Sequence, residues 1–117
     1  MAEKQPQLFA FHTGEEAAPF VDIDLGKTMN VTGLLIRNAQ GGPERMATLR
    51  ASVSLDGKQW TEVWKADKAQ AVWEVFVTTF VSGVDVPGRP ARFIRLQTKP
   101  DRPNHLLLKQ VEIYGKE

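Results

Sequence analysis

Two carboxylates, Asp22 and Asp24, stand one residue apart in "VDIDLG". On an extended chain that spacing turns both to one side, where paired oxygens can hold a hard cation. The plainer reading is the stronger one, because outward carboxylates are ordinary on a strand with one buried face. No metal site is expected. Ser52 and Ser54 have no neighbouring histidine or acid to take a proton, and the chain holds only two histidines, His12 and His105. Nucleophilic catalysis has no support, and no acid–base pair can be assembled, so the chain is read as non-catalytic. Cysteine is absent, which removes thiolate chemistry, disulfides and Cys-based metal sites. The "NVT" at Asn30 fits a glycosylation sequon, a match too short to carry weight.

The elements that position these residues are strands. In "LRASVSLDG", Leu49, Ala51, Val53 and Leu55 alternate with polar residues, which predicts a half-buried strand with those four inward. "FVDIDLG" repeats the pattern with Val21, Ile23 and Leu25 inward, and "RFIRLQT" with Ile94 and Leu96 inward. "VTGLLIRN" is apolar through its middle, as for a strand covered on both sides, and "VWEVFVTTFV" is rich in β-branched and aromatic residues. "LGKT", "QGGPER", "LDGKQ", "SGVDVPGRP" and "TKPDRPNH" read as turns or loops between the strands. About eight antiparallel strands at such spacing predict an all-β sandwich. Asp56-Gly57 is a strong hairpin signal, since glycine takes positive φ freely and aspartate bonds its own backbone.

At 117 residues the chain is read as one domain over 1–117. A formal net charge of +1 gives no strong field toward nucleic acid or an anionic membrane. No apolar run approaches a membrane span, and "MAEKQPQ" lacks a hydrophobic signal core. A cytosolic protein and a domain of a longer secreted chain both stay open.

"VDIDLGKTMNVTGLLIRN", "ASVSLDGKQWTEVW", "ARFIRLQT" and "KQVEIYG", in that order, resemble the discoidin or F5/8 type C domains, relatives of the family 32 carbohydrate-binding modules. The similarity runs from about residue 9 to 115. It implies a galactose-binding-like jelly roll that presents a ligand site on loops at one end. It also implies that Trp60 packs back onto the sandwich beside the Asp56-Gly57 turn.

Sugar-binding relatives place an imidazole near the first strand and Arg or Asn after the "GLLIRN" strand. The resemblance therefore points to His12, Arg37 or Asn38, and Arg45 as ligand-binding residues. Fucose-binding relatives show a His, twenty-four residues, an Arg, an Asp two positions on and a further basic residue; here His12 and Arg37 keep that gap, but Ala39 replaces the Asp and Arg45 falls one residue late. A sugar site also wants a ring, because the C–H face of a pyranose is apolar. The usual place reads "NHLLLKQVE" and has none, so Trp73 is the substitute provided it is exposed. Many relatives hold calcium; Glu112 matches their Glu, but the eleven residues before His12 contain no Asp, so no calcium site and no cofactor are expected. The implied function is a non-catalytic carbohydrate-binding module with a glycan partner, extracellular or periplasmic within a larger secreted protein. The alternative is a discoidin-like protein-interaction or structural domain. Membrane binding is disfavoured, since "QGGPER" and "KPDRPN" carry no apolar spikes.

Overall fold

The computed structural model describes residues 7–12, 16–17, 20–38, 46–98, 103–104 and 107–116, with side chains for 20–38, 46–98 and 108–116. Its strands are β1 (Gln7–His12), β2 (Glu16–Ala17), β3 (Phe20–Asn38), β4 (Arg50–Ser54), β5 (Thr61–Lys65), β6 (Val72–Phe76), β7 (Thr78–Val81), β8 (Val84–Pro87), β9 (Arg89–Gln97), β10 (Pro103–Asn104) and β11 (Leu107–Lys116). Among the described residues there is no α-helix. The main sheet runs β1-β11-β3-β9-β4-β5 with β6 also on β3, and every pairing is antiparallel. β3 is the spine: its first half pairs with β9, and its second half lies between β11 and β6. One sheet thereby curls into the two layers of a jelly-roll sandwich, the all-β fold expected from the alternation.

That spine departs from the sequence reading. "LGKT" is a bulge inside one continuous strand rather than a turn between two, and the β3–β9 register shifts between Asp24 and Met29. Gly26 takes φ +85°, and its N–H donates to Asp24 Oδ1 at 2.8 Å. Glycine and an adjacent Asx bond let a strand bend without ending. "SGVDVPGRP" likewise contains a strand, because Ser82 and Gly83 at φ 49° and 83° make a tight turn between β7 and β8.

The interior follows the predicted parity. Ile23, Leu25, Ala51, Val53, Ile94 and Leu96 from one layer join Leu34, Ile36, Val75, Val111 and Ile113 from the other in one buried cluster. Each fully buried Ile or Leu of this set stabilises by about 1.5–3 kcal/mol. Leu55 is the exception at 58% exposed: β4 ends at Ser54, so Leu55 belongs to the turn and loses the strand's parity. The turn itself is closed by polar bonds. Asp56 Oδ1 accepts from the Lys58 and Gln59 N–H groups at 2.8 and 3.0 Å, and Ser54 Oγ accepts from Gly57 N–H at 2.8 Å. The Gln59 and then the Lys58 amide hold the Asp56 carboxyl below its ordinary range.

Outside the layer of β3, β9 and β4, the two aspartates of "VDIDLG" meet arginines. Arg95 donates from Nε and Nη2 to Asp22 at 2.7 and 2.9 Å, and Arg92 makes the same fork on Asp24 at 2.9 and 3.1 Å. The Arg95 guanidinium lies 4.2 Å from the centroid of Trp60 and 4.3 Å from that of Phe20. Trp60 does pack back on the sandwich, half-buried on its outer surface.

Candidate functional site

Register decides which candidates meet. His12 ends β1 opposite Leu107, the first residue of β11. Asn38 ends β3 opposite Leu108, and Arg37 stands opposite Gln110 on one side and Val72 on the other. Because β11 lies between β1 and β3, the backbones of His12 and Arg37–Asn38 flank the start of one strand at one end of the sandwich. β2, after β1 in sequence, pairs with β10, which precedes β11. For His12 the structure gives the backbone position; its side chain and all of Arg45 lie outside the described residues.

Arg37 and Asn38 are separated by strand parity. Arg37 is exposed and has no ion-pair or hydrogen-bond partner among the described residues. Asn38 is buried, its N–H donating to Ala71 O at 2.8 Å and its Nδ2 to Gln70 O at 2.9 Å. Its amide ties the 66–71 loop to the sheet rather than pointing to solvent. Arg37 is the member of the pair that can reach a ligand.

Trp73 does not serve as a platform. It is 3% exposed, packs edge-on against Trp64 with centroids 5.9 Å apart, and donates from Nε1 to Lys68 O at 3.3 Å. Parity explains the correction: in "VWEVFV", Trp73, Val75 and Val77 form the buried set, and Phe76 faces out at 79% exposed. Glu74 shares the outward set with Val72 and Phe76, so its charge marks the outer face and parity puts Trp73 inside.

The 66–71 loop was not singled out in the sequence. Besides the Asn38 bonds, it is held by Ala66 N–H to Leu49 O at 2.8 Å and by the Trp73 bond to Lys68. Exposed Asp67, Lys68 and Gln70 therefore ride on a pinned loop beside Arg37. "KADKAQA" is a polar insert between two apolar runs, the one signal that marks it. As for a cation, Asp22 and Asp24 are engaged by arginines, and no group of three or more His, Asp or Glu fit for metal occurs among the described residues.

The family model described as F5/8 type C domain matches residues 5–108. None of the curated proteins matches the chain. Solved structures do. A fucolectin from the serum of striped bass, Morone saxatilis, aligns with TM-score 0.75 at 20% identity over 92% of this chain, which spans 36% of that one. A His 62 mutant of the lectin binding domain of lectinolysin complexed with Lewis b gives 0.70 at 22% identity, covering 92% of this chain and 72% of that one. CBM32-1 from a family 31 glycoside hydrolase of Clostridium perfringens gives 0.68 at 18%, covering 90% and 75%. At these identities the likeness establishes the fold.

Proposed function

This chain belongs to the F5/8 type C domain family, and from that premise we propose that it is a non-catalytic carbohydrate-binding module recognising a glycan through the end of the sandwich where β1 and β3 finish. The observation that carries the proposal is that the backbones of His12 and Arg37 flank the start of β11 on either side. Imidazole and guanidinium are planar donors suited to sugar hydroxyls, and Arg37 has no carboxylate partner among the described residues. The names of the structural neighbours support the same class: two are lectins or lectin domains, one of them complexed with Lewis b, and one is a module of a glycoside hydrolase.

In this reading His12 contributes a ring nitrogen, Arg37 its fork, and Arg45 a second cation from the loop after β3. The 66–71 loop supplies Gln70 and Lys68 as further polar contacts. With Trp73 buried, the site relies on hydrogen bonds, so affinity for a monosaccharide is weak. An extracellular or periplasmic setting, with this domain attached to others, fits such a module. A glycan array probed with the domain tests the proposal: binding to a coherent sugar group supports it, and a blank array moves the function to protein interaction.

A further inference from the structure

"VTGLLIRN" reads as a strand covered on both sides, yet one side of it is open. Leu34 and Ile36 are buried, whereas Gly33 and Leu35 line a groove of about 550 Å³ on the outer surface of β11, β3 and β6. That volume lies within the range of small-molecule sites. Tyr114, Gly33 and Phe76 stand opposite one another across the three strands and form one row. A glycine between two rings makes a slot: Tyr114 on one wall, Phe76 on the other, Leu35 continuing the floor.

The slot has a definite width. Neighbouring strands lie about 4.8 Å apart, so the Cα atoms bearing the two rings are roughly 9.6 Å apart. A flat group in contact with a ring on each face needs about 3.5–4.0 Å per contact, roughly 7–8 Å in all. One six-membered ring fits, and a helix of about 10–12 Å does not. The rim is polar at both ends. Glu74 and Lys116 line it, and neither has a hydrogen bond or ion pair among the described residues, leaving one acceptor and one donor for hydroxyl groups. Glycine at 33 has a structural reason of its own, because a Cβ there would stand 2.9 Å from Val75 O. Phe76 has none: it is 79% exposed and contributes little to the core.

We propose that this groove is a second carbohydrate site, seating one pyranose between Tyr114 and Phe76 with its hydroxyl edge toward Glu74 and Lys116. The proposal rests on the glycan-binding reading but not on the residues of the first site. Gly33 is four residues along β3 from Arg37, roughly 13 Å, so the two sites are separable. The test is an amide-resolved NMR titration of the whole chain with D-galactose, L-fucose, N-acetyl-D-glucosamine and Lewis b, on wild type, Phe76→Ala, Phe76→Trp and Arg37→Ala. The expected result is saturable shifts at Gly33, Leu35 and Lys116. Their Kd should weaken roughly tenfold in Phe76→Ala, as for a lost stacked aromatic, and be kept in Phe76→Trp and Arg37→Ala. Phe76→Ala should melt with wild type, since the ring is exposed. Saturable shifts near Arg37 with none at Gly33 overturn the second site and leave the first standing. No shift at either place with any sugar overturns both. Shifts at Gly33 that follow protein concentration without sugar show a second copy in the groove and also overturn the proposal.

Discussion

Replacing Trp73 by alanine tests the reading of this residue as core rather than ligand platform. The ring is 3% exposed and in edge contact with Trp64. Deleting a buried aromatic costs about 3–5 kcal/mol through lost transfer energy and the cavity left behind. A domain of this size has about 5–15 kcal/mol in total, and roughly 4 °C of melting temperature corresponds to each kcal/mol. Trp73→Ala should therefore melt roughly 12–20 °C below wild type. Trp73→Phe keeps most of the packing and loses the donor to Lys68 O, so a drop of about 1–2 kcal/mol is expected. Thermal and urea unfolding followed by circular dichroism read both variants. Trp73→Ala melting within about 2 °C of wild type would place the ring in solvent and refute the packing described here.

Trp60→Ala should cost only about 1 kcal/mol, since the half-buried ring is held mainly by its stack on Arg95; equilibrium urea unfolding measures it, and a loss as large as that of Trp73→Ala would contradict its outer position. Gly57 and Gly88 both take positive φ, but a Cβ at 57 meets the Phe93 ring at an ordinary 3.6 Å whereas one at 88 runs into the Asn30 amide. Gly57→Ala should thus cost about 1–2 kcal/mol and Gly88→Ala clearly more in the same melts. The carboxyls of Asp24, held down by Arg92 and the Gly26 amide, and of Asp56, held down by the Gln59 and Lys58 amides, have folded pKa values below the unfolded ones. Their contribution is present above about pH 4 and lost as pH falls through the folded values, so Asp56→Asn should show a shallower loss of stability in acid.

Where one face of a strand is polar, the sequence alone told inside from outside. Ile23, Leu25, Ile94 and Leu96 are buried as their alternation required, and Asp22 and Asp24 face out. In "VWEVFV" Glu74 shares a face with Phe76, so parity puts Trp73 inside with Val75 and Val77; in "VTGLLIRN" Leu34, Leu35 and Ile36 are apolar on both faces, so alternation does not show that the side of Gly33 and Leu35 is open. Leu55 shows the other failure, at a strand end where one residue of turn breaks the period. That the backbones of His12 and Arg37 flank β11 depends on β11 lying between β1 and β3, a register set by packing across the whole sheet. The separation of Arg37 from Asn38 needed only parity, since Ile36 and Asn38 share the buried set.

The central claim, a glycan site where β1 and β3 end, is tested most directly by titration calorimetry of wild type, His12→Ala and Arg37→Ala with Lewis b and D-galactose at low and high salt. Donors to neutral hydroxyls predict weak wild-type binding that salt barely changes and that either substitution abolishes, with the melting temperature of Arg37→Ala kept because its side chain is exposed. Wild-type affinity retained in both variants would contradict the site.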